Sequence, residues 1–241
     1  MREITPLSQR PTKESFRGIK TIQTMKIAVL GATGQTGMNV VSQALDKGHS
    51  VKAIVRTPAK MTITHANLEV VEGNIFSAES LQEHFKDVDA VISTLGFSPF
   101  TRPVTGYLNA TKAMVTALKS CEKKRLLLMH SWYTQPQSQS KAPFFIRWFL
   151  FTIIGSNLTN MYETEQYLES DECQDINYSV ILPGGLSNAA VTNTPFLAKE
   201  DEYDIKGNGS RIARADVARY LIKTAEEDLH HRKVVSIALD A

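Results

Sequence analysis

Short runs of apolar residues alternate along the chain with longer stretches whose apolar positions recur at helical spacing. Ile27–Leu30, Ser50–Val55 and Leu68–Val71 are mainly apolar runs, whereas Thr36–Lys47 has apolar positions on one helical face. Runs without strict apolar–polar alternation are typical of strands in a parallel sheet that is covered on both faces. Strands separated by helices predict βαβ units.

The same alternation continues to the C-terminus. The further predicted strands are Ala90–Thr94, Leu126–His130, Tyr178–Leu182 and Val234–Ile237, and the further predicted helices are Ser77–Phe85 (with Ser77 as N-cap), Val104–Lys119, Asn157–Ser170 and Ala213–Glu227. No internal repeat or low-complexity linker divides the chain. The pattern therefore predicts one α/β domain over residues 25–241, a doubly wound parallel sheet of the Rossmann type.

Residues 1–24 differ from the rest because they are basic and contain few apolar residues. We expect a flexible tail there. The stretch has no apolar core and is not a secretory signal. A transit peptide is the alternative for a basic segment, although Glu3 and Glu14 count against it.

Composition excludes several function classes. The chain has 241 residues, 42% of them hydrophobic and 22% charged, which is typical of a globular domain. A net charge of +2 gives no reason to expect a nucleic-acid partner. Cys121 and Cys173 have no metal-ligand spacing, so we expect no metal site and a reduced, cytoplasmic setting. A monomer is slightly favoured.

An apolar stretch at residues 143–154 raises the question of a membrane segment. It is about a dozen residues long, is interrupted by Arg147, and is shorter than the roughly 20 residues that a transmembrane helix needs. We expect no transmembrane segment. A lid over the site with stacking partners for a planar substrate, a core helix and an interfacial anchor remain open for Phe144–Phe151.

A glycine-rich turn lies between the first predicted strand and the first predicted helix. Glycines let the backbone turn sharply and approach a pyrophosphate, and the helix N-terminus offers free N–H groups to it. The strand–turn–helix context favours a dinucleotide site over a simple turn. The predicted cofactor contacts in this turn are Gly31, Thr33, Gly34, Gln35, Thr36 and Gly37.

The end of the second strand indicates which dinucleotide binds. NAD sites usually have Asp or Glu there to bind the ribose 2′-hydroxyl. Here the residue is Arg56, followed by Thr57 and Lys60. A guanidinium matches phosphate oxygens, whereas a carboxylate would repel a 2′-phosphate. The sequence therefore predicts NADP(H) as the cofactor.

Ligands of such sheets bind outside the carboxyl ends of the strands. We therefore expect the residues that follow the other strands to contact the cofactor as well. These are Asn74, Ile75, Leu95, Gly96, Ser131, Pro183, Gly184 and Leu186.

Several motifs together resemble the atypical short-chain dehydrogenase/reductases, within the wider NmrA-like group, and above all the branch of biliverdin reductase B, the NADPH-dependent flavin reductase. The resemblance runs from about residue 25 to the C-terminus. It is carried by Gly31–Gly37, Val55-Arg56, Asp89–Ile92 with Leu95-Gly96, Ser131, Tyr178–Leu186 and Arg211–Ala218.

The resemblance implies hydride transfer from NADPH to a small planar aromatic acceptor, a flavin or a biliverdin-like tetrapyrrole. Quinones are similar planar acceptors. It also implies that the nicotinamide lies near Ser131, which we take as a catalytic residue. Tyr133 and His130 are the other protic groups nearby. We take Tyr133 as the second catalytic candidate and favour a structural role for His130.

The sequence also departs from the family pattern. Most short-chain dehydrogenases have a Lys three residues after the catalytic Tyr, and none follows Tyr162 at that spacing. Two histidines of the resembling enzymes are replaced, one by Met161 and one near Gly184-Gly185. Flavin reduction tolerates these losses better than bilin reduction. The alternative is a non-enzymatic NADP(H)-binding sensor or assembly factor.

Overall fold

The computed structural model describes residues 24–98, 103–139, 144–202, 205 and 211–240. The predicted tail lies outside these residues apart from Thr24.

Eight strands form one sheet, in the order β3-β2-β1-β4-β5-β6-β10-β8. Every neighbouring pair is parallel except β10 and β8, which are antiparallel. A second sheet is the parallel pair β7 and β9. The strands are β1 (Lys26–Leu30), β2 (Ser50–Val55), β3 (Leu68–Glu72), β4 (Ala90–Ser93), β5 (Arg125–Met129), β6 (Asn177–Pro183), β7 (Gly185–Ser187), β8 (Phe196–Glu200), β9 (Arg211–Ala213) and β10 (Lys233–Leu239).

Helices cover both faces of the large sheet and bury its apolar side chains. They are α1 (Gln35–Asp46), α2 (Ala78–Phe85), α3 (Gly106–Lys119), α4 (Pro136–Gln139), α5 (Phe144–Glu169) and α6 (Arg214–Glu226), with 3₁₀ turns at Pro58–Lys60 and Asp171–Cys173. Val29, Val40 and Val217 belong to one buried cluster, between the sheet and the α1–α6 layer. Leu30 and Met114 belong to the other, beneath α2, α3 and α5. The predicted doubly wound fold is confirmed.

The predicted strands agree with the observed ones to within one or two residues at each end, and the predicted Ser77 cap is also found. Its hydroxyl oxygen accepts a hydrogen bond from the backbone N–H of Ser80 at 3.2 Å. Three strands were not predicted. Phe196–Glu200 exposes most of its side chains because it is an edge strand, so it carries no apolar run. Gly185–Ser187 and Arg211–Ala213 are too short to show a period.

Helix α5 is longer than predicted, because it begins at Phe144 rather than at Asn157. Ser156 looks like a cap for a helix that starts at Asn157. Its hydroxyl instead accepts a hydrogen bond from the backbone N–H of Val104 at 2.9 Å, in the segment before α3. Within the described residues, no helix is both long and apolar enough to cross a membrane.

Candidate functional site

The site lies where the chain reverses its winding direction, between β1 and β4. These strands are neighbours although β2 and β3 separate them in sequence. The backbone N–H of Thr94 bonds to the carbonyl oxygen of Leu30 at 3.0 Å, so the two strand ends lie side by side. A crevice opens at the carboxyl ends of such strands because the following connections diverge to opposite faces.

The turn after β1 has glycine where a side chain would collide with backbone. Gly31 has a φ of +75°, and an added Cβ would lie 2.8 Å from the carbonyl oxygen of Thr94. At Gly37 an added Cβ would overlap the carbonyl oxygen of Gly31 and lie 2.8 Å from Ala32 Cα. The Gly34 N–H closes the turn on the Gly31 carbonyl at 2.9 Å. The glycines therefore bring α1 against the end of β1.

The N-terminus of α1 fits an anionic ligand. Its N-cap is Gly34, which has no side chain to bond the first backbone N–H groups, and its first turn contains no acidic residue. Thr36 and Gly37 are buried, whereas Thr33 and Gln35 are exposed. The chain thus leaves N–H groups and the positive end of the helix dipole available to a phosphate.

A first cavity of about 230 Å³ adjoins this turn. Its walls include six residues predicted from sequence as cofactor contacts in addition to Arg56: Gly31, Thr33, Gly34, Ile75, Leu95 and Gly96. Thr57, Lys60 and Asn74 are exposed but do not line it. The Asn74 side-chain oxygen instead accepts the backbone N–H of Phe76 at 3.0 Å.

A second cavity of about 270 Å³ continues from the first and shares Thr94, Leu95 and Gly96 with it. It is lined by residues from the ends of β4, β5 and β6 and by residues of α3 and α5. Besides Leu95 and Gly96, four predicted contacts are among them: Ser131, Pro183, Gly184 and Leu186. The two cavities form one crevice that runs from Arg56 to Ser131.

The structure places the two predicted catalytic residues differently. Ser131 is half-buried and lines the second cavity. Tyr133 has a φ of 66° and stands edge-on to Trp132, with ring centroids 6.3 Å apart. It packs against the apolar clusters and is not part of the wall of the second cavity. Met161 and Gly184 both line that cavity, and the resemblance implied family histidines at or near these two positions.

Among the described side chains of the aromatic stretch at the start of α5, none is part of the wall of the second cavity. Phe144 and Trp148 are 77% and 69% exposed. They line a separate cleft of about 370 Å³ with Arg147 and Phe151. The contribution of α5 to the second cavity begins at Ile154. Phe144 and Trp148 therefore neither cover this cavity as a lid nor lie in the core.

Two rings of the second cavity offer a planar ligand its aromatic surface instead. Phe97 and Tyr107 contact edge to face, with centroids 4.8 Å apart, and both line the cavity. Phe97 follows β4 and Tyr107 lies in the first turn of α3. Neither residue was predicted as a site residue: Phe97 directly follows β4, but its contact with Tyr107 arises only through packing of separate elements.

His130 was predicted to have a structural role, and it also lines the second cavity. It is 4% exposed and its Nδ1 lies 3.0 Å from Glu165 Oε1, as a core histidine would. It also lines the second cavity, beside Ser131. The position at the carboxyl end of a strand was a usable signal, but the partner Glu165 is 35 residues away and could not be identified from sequence.

A family comparison identifies the fold's cofactor. Residues 31–228 match the model of a family described as NAD(P)H-binding. The chain belongs to this NAD(P)H-binding family. The match covers most of the chain, including the glycine turn and both cavities. It confirms the predicted cofactor as NAD(P)H, which is the cofactor that the family's description names.

Relatives of this NAD(P)H-binding protein include an uncharacterised chloroplastic protein of Arabidopsis thaliana, 29% identical over 233 residues, 91% of this chain and 79% of that one. A solved structure of a candidate NADH-flavin reductase from Streptococcus pneumoniae has a TM-score of 0.69 at 20% identity, covering 90% of this chain and 100% of that one. ChuY, an anaerobilin reductase from Escherichia coli O157:H7, has a TM-score of 0.71 at 19% identity, covering 89% and 97%. These structural likenesses show the fold.

A larger cavity of about 460 Å³ lies at the other edge of the sheet. Met25, Asp89 and Arg125 line it, and they stand just before or at the start of β1, β4 and β5. Ligands of doubly wound sheets bind at the carboxyl ends of the strands. We therefore place the NAD(P)H site in the crevice of the two smaller cavities.

Proposed function

We propose that the chain is an NADPH-dependent reductase that transfers a hydride to a flavin or a similar planar acceptor, a biliverdin-like tetrapyrrole or a quinone. The observation that carries this proposal is the continuous crevice. One end has the glycine turn and Arg56, and the other end is a mostly apolar cavity with Ser131. An extended dinucleotide and a planar acceptor fit end to end in that arrangement.

The charge at the first cavity supports NADP(H) over NAD(H). Among the described residues that line it, Arg56 is the single charged one, and no carboxylate is present to bind a 2′-hydroxyl. Arg56 is exposed, so its guanidinium can reach a 2′-phosphate without first breaking an internal ion pair. Thr57 and Lys60 follow Arg56 in sequence and are also exposed, but they do not line the cavity.

When bound, the cofactor supplies the hydride, and the chain supplies position and a dry environment. The Ser131 hydroxyl has no hydrogen-bond partner within the described part of the chain. It can therefore bond the carboxamide of the nicotinamide or the acceptor. Leu95, Met129 and Leu186 give the cavity apolar walls that exclude water from the transferring hydride.

The comparisons support the acceptor class without naming the acceptor. One structural neighbour is a candidate NADH-flavin reductase and another is an anaerobilin reductase. Both acceptors are planar and conjugated. The biliverdin reductase B branch, which carries both activities, remains our assignment within the family on the motifs of the sequence.

The test is oxidation of NADPH by the purified full chain with a panel of acceptors: FMN, riboflavin, a quinone and biliverdin. We expect turnover with at least one of them, and faster turnover with NADPH than with NADH. Tight NADPH binding without oxidation by any acceptor would refute the reductase and favour the sensor or assembly factor instead. NADH preference would refute the role given to Arg56.

The compartment and the oligomeric state form a separate part of the proposal. We propose a cytoplasmic monomer that has no nucleic-acid partner. Light scattering on the purified chain gives its mass in solution, and a fluorescent tag at the C-terminus gives its compartment. A stable dimer or accumulation in an organelle would contradict this part and leave the reductase proposal standing.

A further inference from the structure

Two buried polar atoms in the wall of the second cavity have no hydrogen-bond partner among the described residues. They are Nε2 of His130 and Oδ1 of Asn157. A buried polar atom without a partner costs roughly 1–3 kcal/mol, so native structures rarely keep one without a use. Both residues line a cavity that is otherwise mainly apolar, and a polar group of a ligand that reached these two atoms would pair them.

The orientation of Asn157 is fixed by its own contacts. Its Nδ2 donates to the carbonyl oxygen of Phe97 at 2.8 Å, which leaves Oδ1 as the unpaired atom. Asn157 therefore has an unpaired acceptor and His130 an unpaired ring nitrogen among the described residues, and both residues line the cavity.

The other side of the His130 ring is held by a buried carboxylate. Nδ1 lies 3.0 Å from Glu165 Oε1, and the Thr134 hydroxyl donates to Glu165 Oε2 at 3.1 Å. Glu165 is 1% exposed. An ionised carboxylate only accepts hydrogen bonds, so this arrangement puts hydrogen on Nδ1 of the His130 ring, while Nε2 has no partner among the described residues.

We infer that His130, in its doubly protonated form, is the proton donor of this reductase and that Glu165 positions its ring. The inference rests on the proposed function. When hydride adds to the acceptor, two electrons arrive and a heteroatom of the acceptor becomes basic. The Nε2–H bond of the imidazolium breaks, its proton passes to that heteroatom, and neutral imidazole remains bonded to Glu165 through Nδ1. Nε2 then takes up one proton from the solvent, which is the proton that each turnover consumes.

This assignment supplies the proton donor that the sequence lacked. Met161 and Gly184 cannot transfer a proton, which counted against tetrapyrrole reduction. His130 reaches the same cavity from the end of β5. The structure thus favours acceptors that need a proton together with the hydride, such as a tetrapyrrole with a basic pyrrole nitrogen.

The chain contains a matched control for a buried histidine–glutamate pair. His49 is fully buried, its Nε2 lies 2.9 Å from Glu226 Oε1, and its Nδ1 accepts the backbone N–H of Met25 at 3.1 Å. Both of its nitrogens are therefore occupied, and it stands just before β2, away from the crevice. His49→Gln tests what loss of such a pair does to folding alone.

The experiment compares His130→Gln, Glu165→Gln and His49→Gln with the wild type. Turnover with biliverdin and with FMN, NADPH affinity and unfolding free energy are measured for each. We expect His130→Gln to lower kcat with biliverdin by about 100-fold or more, the range of general acid catalysis. We expect the Kd of this variant for NADPH to stay within threefold of the wild-type value, and its kcat with FMN to fall less than its kcat with biliverdin. Glu165→Gln should lower kcat with biliverdin by an amount between those of His49→Gln and His130→Gln. Equal losses in His130→Gln and His49→Gln would overturn the inference.

A second readout does not depend on turnover. Nuclear magnetic resonance of the protein labelled with ¹⁵N-histidine, in the presence of NADP⁺, reports the two His130 nitrogens. We expect addition of biliverdin to shift Nε2 and to leave the nitrogens of His49 unchanged. A His130 signal that does not respond to bound biliverdin overturns the inference. If none of the acceptors supports oxidation of NADPH by the wild type, the proposed function is refuted. The shift of the His130 Nε2 signal on addition of biliverdin then still decides whether His130 contacts this ligand.

Discussion

Substitution of Gly37 by alanine tests whether the glycine turn both supports the fold and binds the cofactor. The new Cβ would overlap the carbonyl oxygen of Gly31 and lie 2.8 Å from Ala32 Cα, and both neighbours are backbone. Backbone cannot rotate away as a side chain can, so α1 must move relative to the end of β1. The N–H groups at the start of α1 move with it.

The expected magnitude follows from two opposing effects. Overpacking costs about 1–3 kcal/mol, and more where only backbone can yield. Alanine in place of glycine in a helix returns up to about 1 kcal/mol. We expect a net loss of about 1–3 kcal/mol of unfolding free energy, measured by urea denaturation without cofactor. Loss of a single charge-assisted hydrogen bond to phosphate, about 1.5–3 kcal/mol, weakens NADPH by roughly 10- to 100-fold.

Gly155→Ala is the matched control. Its added Cβ would lie 3.8 Å from Phe151 Cβ, which is ordinary contact, and Gly155 is inside α5. We expect unchanged NADPH affinity and equal or greater stability, by up to about 1 kcal/mol. In Gly34→Ala the added Cβ would lie 3.1 Å from the Gly31 carbonyl oxygen. We expect its unfolding free energy and its NADPH affinity to lie between those of Gly37→Ala and Gly155→Ala. A Gly37→Ala variant with the stability and NADPH affinity of the wild type would refute the reasoning.

Three further substitutions test other parts of the molecule. Arg56→Ala should weaken NADPH by about 10- to 100-fold, the loss of a charge-assisted phosphate contact, and leave NADH within threefold in the same titration; equal losses would remove Arg56 from the 2′-phosphate. Ser131→Ala should lower kcat, with NADPH affinity within a few-fold, and unchanged turnover would exclude a catalytic role. Hydrogen bonds from Lys26 and Lys52 lower the pKa of Asp87 to about 2, so its stabilisation is complete above about pH 4 and is lost as the pH falls towards 2. Because Asp87 is half exposed, Asp87→Asn should lower the unfolding free energy by no more than about 1 kcal/mol at pH 7. In urea denaturation the difference between this variant and the wild type should vanish near pH 2. A difference that persists at pH 2 would contradict the role of the Asp87 charge.

The sequence by itself determined the sheet, the order of its parallel strands along the chain and the cofactor turn. Continuous apolar runs such as Ile27–Leu30 are a local property, and so is the need for glycine where Gly31 turns with a positive φ. Arg56 follows a strand at a fixed distance from that turn. These features depend on residues close together in sequence, so a pattern can report them.

The tertiary structure decided what lies across the crevice from the cofactor turn. Glu165 reaches His130 from α5, and Asn157 reaches the carbonyl of Phe97 over 60 residues of sequence. Tyr133 is two residues from Ser131, yet its positive φ takes it out of the cavity wall. Such outcomes depend on how helices pack on the sheet, because packing sets side-chain direction over distances that no local pattern encodes. The glycine turn and Arg56 were therefore predictable from the sequence, whereas the contact between His130 and Glu165 depends on how α5 packs against the sheet.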